Sequence, residues 1–234
     1  MLKRTLAIAA AALAVAAPVA LAATITGTSR NDTLIGTTAG DTITALDGND
    51  KVLGLAAGDT IDGGKGTDTI YGDSTCPPGT RDPSYCSSAE APGDGADNIT
   101  GNDGNDTIFG QGGGDNINAG DGDDHLDGGS GGDNLTGGDG KDAIAGGAGN
   151  DNVNGGDGDD TVDGGSGDDN ITTGDGADDI TGGPGKDNVT ASDGDDVVRV
   201  KDGEKDTVSC GKGRDRVTAD RIDAINADCE TVTF

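Results

Sequence analysis

Residues 128–145 read GGSGGDNLTGGDGKDAIA, which is one nine-residue unit followed by a second unit of the same pattern. The unit is G-G-x-G-x-D-x-U-x, where U is an aliphatic residue. Outward from this stretch, Asp recurs at every ninth position without a break from Asp97 to Asp196. Gly lies two positions before each of these Asp residues, and an aliphatic residue lies two positions after it. The Gly, the Asp and the aliphatic residue keep the same spacing in every one of these units. Such a regular repeat predicts a solenoid, in which each unit is one structural element.

A second period, of eighteen residues, lies within the first. The third position of every other unit is Asp, as at Asp121, Asp139 and Asp157, and the units between carry a small residue such as Ser130 or Ala148. This alternation predicts two classes of turn, so that two units complete one coil and each class of turn stacks along one edge. From the number of units we expect about nine coils.

The composition excludes several classes of protein. The 234 residues include 46 Gly, 44 acidic residues and only 15 Lys and Arg, with two Phe, two Tyr and no Trp. So few aromatic residues cannot build an ordinary globular core, and a net charge of −29 excludes the basic surface that nucleic-acid binding needs. Acidic, Gly-rich chains are usually disordered. Here all but three of the acids are Asp, which is typical of turns and calcium loops.

The unit resembles the RTX (repeats-in-toxin) nonapeptide family, and the resemblance extends over most of the chain that follows the N-terminal segment. It implies an all-β fold, a parallel β-roll in which six residues of each unit form a calcium-binding turn and three form a short strand. It also implies that each ion lies between turns of adjacent coils, at positions eighteen residues apart. The number of ions would be on the order of ten.

Calcium suits these residue types because it prefers six to eight oxygen ligands, and because Gly lets a turn adopt the positive φ that brings carbonyl groups inward. The candidate ligands are sixth-position aspartates and fourth-position glycines. The aspartates are Asp68, Asp97, Asp106, Asp115, Asp124, Asp133, Asp142, Asp151, Asp160, Asp169, Asp178, Asp187 and Asp196. The glycines are Gly104, Gly113, Gly122, Gly131, Gly140, Gly149, Gly158, Gly167, Gly176 and Gly185. Fifth-position acids such as Asp123 and Asp159 are expected to point into solvent.

The repeats divide the chain into five segments. Residues 1–22 combine a basic start, an apolar stretch and an A-x-A site, which predict a cleaved signal peptide. A membrane anchor is the competing interpretation, but the stretch is short and mostly Ala. Residues 23–73 keep the Asp period with fewer glycines and are expected to be an N-terminal cap. Residues 74–92 predict an inserted loop, residues 93–199 the calcium-binding core, and residues 200–234 a C-terminal cap.

Four cysteines allow three pairings in principle. Cys76 and Cys86 bracket the inserted loop and Cys210 and Cys229 bracket the C-terminal cap, so we expect two local disulfides formed outside the reducing cytoplasm. A zinc site is the alternative, but the sequence has no C-x-x-C spacing and a single histidine. The C-terminal cap is rich in Lys and Arg, which we expect to replace calcium beside the last Asp turns.

These features predict an exported calcium-binding protein that is not an enzyme, because His125 is the only histidine and the paired carboxylates all belong to the repeat. We expect it to be secreted or held at the cell surface, where calcium folds it into a rigid structural or interaction module. Candidate partners are cell-surface polysaccharide and matrix protein; nucleic acid is not expected, nor a membrane span after signal cleavage. The alternative function is a non-catalytic accessory or substrate-binding module of a secreted enzyme.

Overall fold

The computed structural model describes residues 21–73 and 95–234, and in these ranges the chain winds into two parallel β-sheets around a shared core. Successive strands alternate between the sheets. Sheet A contains β1 (Thr24–Thr26), β3 (Thr42–Thr44), β5 (Thr60–Lys65), β7 (Asn98–Asp103), β9 (Asn116–Asp121), β11 (Asn134–Asp139), β13 (Asn152–Asp157), β15 (Asn170–Asp175), β17 (Asn188–Asp193), β19 (Thr207–Ser209) and β21 (Ala224–Ile225). Sheet B contains β2 (Thr33–Ile35), β4 (Lys51–Leu55), β6 (Thr69–Asp73), β8 (Thr107–Gly112), β10 (His125–Ser130), β12 (Ala143–Ala148), β14 (Thr161–Ser166), β16 (Asp179–Thr181), β18 (Val197–Arg199), β20 (Arg216–Thr218) and β22 (Thr231–Thr233).

The register of both sheets follows the eighteen-residue period. In sheet A, Leu135 pairs with Ile117 on one side and Val153 on the other, and sheet B repeats this arrangement with its own aliphatic column. Side chains alternate between the two faces of a strand, so the single aliphatic residue between two polar ones points inward. The aliphatic residues of the repeat core are at most 3% exposed. The predicted β-roll of two units per coil is confirmed.

The roll is longer than the sequence predicts. Each sheet has eleven strands, rather than the nine or so coils expected from the repeats. The additional strands come from both ends, because the Asp and aliphatic positions of the N-terminal segment and of the cap keep the same pairing. At about 4.8 Å between strands the sheets are about 48 Å long. No helix in residues 21–73 or 95–234 is long and apolar enough to cross a membrane.

One coil contains a long insertion. Thr60 pairs with Asn98 and Thr69 pairs with Thr107, which are separations of 38 residues where the other repeat coils have 18. The chain therefore has twenty additional residues between β6 and β7, and the strands continue to alternate between the sheets. The predicted Cys76–Cys86 disulfide falls on this insertion and lies outside the described residues, as does most of the predicted signal peptide, 1–22.

An aromatic stack joins the coils on either side of this insertion. Tyr71 of β6 and Phe109 of β8 stack with ring centroids 5.0 Å apart, and His125 of β10 contacts Phe109 edge-on at 6.0 Å. The Nζ atom of Lys51 lies 5.9 Å from the centroid of the Tyr71 ring. The sequence pattern does not predict this stack, because the four residues belong to different units and become neighbours only through the register.

We expect Phe109→Ala to destabilise the junction by about 1–2 kcal/mol, because it removes both the stacking on Tyr71 and the edge contact with His125. Thermal unfolding in calcium, followed by proteolysis mapping, should show that cleavage increases first between residues 60 and 73. His125→Ala is the control, since it leaves the Tyr71–Phe109 pair intact. Equal losses of stability in the two variants would contradict a role for the stack at the insertion.

Candidate metal centre

The sixth-position aspartates form two columns, one along each edge of the roll. Along the edge that leads into sheet A, the backbone N–H of Asp115 donates to the Oδ1 atom of Asp133 at 2.8 Å, and the N–H of Asp133 donates to Asp151 in the same way. Along the other edge, the N–H of Asp124 donates to Asp142 at 2.8 Å. Each carboxylate is thereby fixed against the coil that precedes it. The predicted ladders at a spacing of eighteen residues are confirmed as neighbours.

Many of these carboxylates have a second oxygen that accepts no hydrogen bond from the described residues. Sixth-position aspartates of the core are at most 3% exposed. The buried Oδ2 atoms that accept no hydrogen bond from the described residues include those of Asp50, Asp59, Asp68, Asp106, Asp124, Asp133, Asp142, Asp151, Asp160, Asp169, Asp187, Asp196, Asp206 and Asp215. A buried ionised oxygen without a partner is costly, so these atoms require either a proton or a cation.

Burial also raises the pKa of these carboxyl groups. The pKa values of Asp106 and Asp160 rise to about 7, chiefly because burial disfavours the charged form and also because of the charges of the neighbouring aspartates. The pKa values of Asp133 and Asp142 rise to about 6 for the same reasons. The hydrogen bond from the preceding coil opposes this rise and only partly offsets it. Burial in the ladders therefore brings the pKa values of these four carboxyl groups close to neutral pH.

In several turns a carbonyl oxygen of the next coil and an Asp Oδ2 atom lie close together, on the side of the first Gly where a Cβ atom would be. A methyl group added to Gly128 would lie 2.5 Å from the Oδ2 atom of Asp133 and 2.6 Å from the carbonyl oxygen of Gly146 in the next coil. Gly101, Gly146 and Gly164 have the same two kinds of neighbour. Carboxylate and carbonyl oxygens thus converge on one gap between coils, and these are the ligands that calcium prefers.

The fourth-position glycines shape the turn itself. The ten predicted at this position have φ between 117° and 150°, which confirms the expected positive φ. The N–H of Gly131 donates to the carbonyl of Ala148 in the following coil at 2.7 Å, and the carbonyl of Gly113 points at the Cα of Gly131 from the preceding coil. Their role as ligands stays a prediction. Within the described ranges no group of three or more Asp, Glu, His or Cys side chains is placed to hold a metal ion by itself.

The structure extends both ladders beyond the predicted residues. Asp41, Asp50 and Asp59 accept the same backbone hydrogen bonds at the N-terminal end, although their turns contain fewer glycines. Asp206 and Asp215 continue the ladders into the C-terminal cap. The first three are visible in the sequence as part of the nine-residue Asp period. Asp206 and Asp215 lie nineteen residues after Asp187 and Asp196, one more than in the repeat coils. A sequence search that permits this longer spacing identifies them.

The acidic side chains at the third and fifth positions of the nine-residue unit are exposed. The sequence predicts this exposure for the fifth position. Some bind basic residues near the C-terminal end: Lys212 lies 2.6 Å from Asp193, and Arg214 lies 2.6 Å from Asp195. Near the N-terminal end, Lys65 forms an ion pair with Asp103. The cations of the cap thus pair with the outward acids of the last Asp turns. The buried Oδ2 atom of Asp196 accepts no hydrogen bond from the described part of the chain.

The cap is also closed by a disulfide between Cys210 and Cys229, whose Cα atoms are 5.1 Å apart. We expect calcium removal to leave residues 200–234 more resistant to protease than the repeats, because this bond and the ion pairs of Lys212 and Arg214 do not need the metal. Limited proteolysis in chelator, read by mass spectrometry, tests this. The double variant Cys210→Ser, Cys229→Ser is the control and should lose the resistance. Degradation of the unmodified cap as fast as the repeats would refute the expectation.

Comparison with protein-family models matches the RTX calcium-binding nonapeptide repeat at residues 26–61, 52–74, 93–126, 127–162, 136–171 and 163–198. Together these ranges cover well over half of the chain. The chain belongs to the RTX calcium-binding nonapeptide repeat family. A comparison with curated proteins found no match.

Membership of the RTX family identifies the metal for which the Asp turns are built. RTX repeats bind calcium, so the stacked turns of the core are elements of a calcium-binding structural module. The match ends at residue 198, whereas both ladders continue to Asp206 and Asp215. The hydrogen-bonded ladders therefore extend past the recognisable repeats and into the disulfide-closed cap.

Proposed function

We propose that this protein is exported and folds into a rigid β-roll when it binds calcium outside the cytoplasm, where it acts as a non-catalytic structural or interaction module at a surface or in a matrix. One observation supports the proposal most strongly. Stacked, buried carboxylates such as those of Asp133 and Asp151 each leave an oxygen without a donor. At a pH where the carboxylates are ionised, a chain that carries two such columns repels itself unless cations neutralise them.

The proposed ligands are the sixth-position aspartates, Asp68 and those from Asp97 to Asp196, together with the carbonyl groups of the glycine-rich turns, including the fourth-position glycines from Gly104 to Gly185. Calcium, when bound, supplies the positive charge that the buried carboxylates lack. The chain itself holds each Asp through the backbone N–H of the preceding coil and excludes water by stacking the turns. On the order of ten ions would occupy the two edges.

Metal binding and folding are coupled by mass action, because an ion that binds between two coils binds only the folded state. Extracellular calcium modules typically bind with dissociation constants of about 10⁻⁴–10⁻³ M. With affinities in that range, the chain would stay expanded at the low calcium of the cytoplasm and fold after export. The Cys210–Cys229 disulfide supports a destination in an oxidising compartment, and the features of residues 1–22 support the export route.

Far-UV circular dichroism of the chain during a calcium titration, with magnesium as the control, tests the proposal. We expect a cooperative gain of β signal with calcium and little change with magnesium, which demands octahedral geometry and loses its water reluctantly. A spectrum that is already rich in β-structure at neutral pH without metal would mean that the roll does not depend on calcium. That result would contradict the proposed coupling between calcium binding and folding.

A further inference from the structure

The outer face of sheet A carries an unbroken strip of uncharged polar side chains. In sheet A, the first residue of every strand from β7 to β17 is Asn, and the third is Thr or Asn. The Asn row consists of Asn98, Asn116, Asn134, Asn152, Asn170 and Asn188. We call the two rows together the neutral strip. In a chain with 44 acidic residues, twelve consecutive outward positions without a charge require a physical explanation.

The Asn row forms a hydrogen-bonded ladder from Asn98 to Asn170. The side-chain amide of Asn134 donates to the carbonyl oxygen of the Asn116 side chain at 3.0 Å, and that of Asn152 donates to Asn134 at 3.1 Å. Asn116 and Asn170 donate to their preceding neighbours at 3.2 Å. Each amide within the ladder uses one N–H and one lone pair, which leaves a second N–H and a second lone pair for an external ligand. The strip is thus a fixed array of donors and acceptors repeated about every 4.8 Å.

The surfaces around the strip are acidic. At the carboxyl ends of the same strands lies a row of third-position acids that includes Asp121, Asp139 and Asp157. Over the same coils, the outer face of sheet B carries Asp127 and Asp163. An anionic polymer that approached the strip would meet these charges, and a cationic partner would bind the acids rather than the amides. The ligand that fits the strip is uncharged.

We infer that the neutral strip binds an uncharged, hydroxyl-rich polysaccharide. This inference rests on the proposed function and names the class of partner for that module. Sugar hydroxyls both donate and accept hydrogen bonds, as the free positions of the Asn and Thr side chains require. A second copy of the chain fits less well, because six strands and two rows offer only a few hundred Å², against about 800 Å² per partner in a stable interface.

The repetition of the strip predicts how binding depends on ligand length. A single neutral hydrogen bond contributes about 0.5–1.5 kcal/mol, so one rung binds one sugar only weakly. The hydrogen-bonded ladder holds the Asn side chains in place before binding, which reduces the entropy lost at each rung. The polar side chains of consecutive strands act as linked binding sites. Affinity should therefore increase with the length of the polysaccharide until it spans the six strands. Monosaccharides should not bind measurably.

Affinity electrophoresis of the full chain in calcium tests the inference. Native gels contain hydroxyethyl cellulose, galactomannan or dextran as neutral polymers, and carboxymethyl cellulose as the charged counterpart. We expect at least one neutral polymer to retard the protein and carboxymethyl cellulose not to retard it. Asn134→Asp, at the centre of the strip, should weaken retardation about tenfold, because it adds a charge and breaks the ladder. Thr161→Asp, at the equivalent exposed position of β14 in sheet B, should change it less than twofold.

Each result decides the inference. If Asn134→Asp does not regain its β signal in calcium, Thr136→Asp carries the test, since it adds a charge to the strip outside the Asn ladder. The inference is overturned if the folded protein is retarded by no neutral polymer, if Thr161→Asp has the same effect, or if sedimentation shows strip-dependent self-association instead. A protein that shows no calcium-dependent β signal but is still retarded through the strip would contradict the proposed function and support this inference.

Discussion

Replacing Gly131 with alanine should destabilise the calcium-bound roll by about 3 kcal/mol or more and raise the calcium concentration needed for folding. The φ of this residue is 143°, which strains any residue with a side chain. Its methyl group would also overlap the carbonyl oxygen of Gly113 in the preceding coil, and backbone cannot move aside as a side chain can. Thermal unfolding in saturating calcium should show a decrease in Tm of at least about 6 °C for a domain of this size.

Gly132→Ala is the matched control one residue away. Its φ is not in the left-handed region, and its methyl group would lie 3.2 Å from the nearest atom, the carbonyl oxygen of Asn150. The same position of the following turns already holds larger side chains, at Asn150 and Asp168. We expect a loss below about 1 kcal/mol. Equal effects of the two alanines would mean that the turn is not constrained as the structure describes it.

The second large effect is the dependence of folding on pH. Low pH should favour the metal-free roll, whereas high pH should favour the calcium-bound roll. Burial raises the pKa values of Asp106 and Asp160 from 3.8 to about 7 and those of Asp133 and Asp142 to about 6. A raised folded-state pKa gives stability that is fully present below pH 3.8 and is lost as the pH rises through the folded-state value. In metal-free buffer the roll should therefore retain β signal near pH 4–5 and lose it near pH 8.

Calcium binding should show the opposite trend, because the ion needs ionised carboxylates and releases their protons. Between pH 7.5 and 5.5 we expect the midpoint of the calcium titration to rise by roughly an order of magnitude. Asp142→Asn removes one of the buried acids and should reduce this dependence, whereas Asp139→Asn, an exposed acid in the same turn, should leave it unchanged. A midpoint that does not depend on pH, or a metal-free chain that gains stability as the pH rises, would show that the carboxylates are not buried as described.

Much of the molecule can be predicted from the spacing of three residue types. The period of Gly, Asp and aliphatic residues predicts a turn with positive φ and one inward aliphatic side chain in each unit. The resemblance to the RTX family implies the division of each unit into a turn and a strand. The alternation of Asp139 and Ala148 at the third position predicts two edges and hence a register of eighteen. The pattern within a unit and the alternation between successive units are local properties that recur many times, so they are evident from the sequence alone.

Other features depend on which coils lie side by side. Tyr71 and Phe109 are separated by the insertion, and only the register stacks their rings. Asp206 and Asp215 follow an interval one residue longer than the period, and their hydrogen bonds to the preceding coils establish that they belong to the ladders. The Asn ladder also depends on the register, because the side chains of Asn134 and Asn116 are eighteen residues apart and become neighbours only when the coils stack.

The sequence by itself therefore determined the repeat, the two classes of turn and the residue types that attract calcium, and its resemblance to the RTX family implied the β-roll. The tertiary structure decided which carboxylate oxygens are left without a donor, which turns continue into the cap, and which face carries no charge. These properties arise from contacts between coils. Stacking buries one oxygen of an Asp while it satisfies the other, and this difference exists only once neighbouring coils are in place.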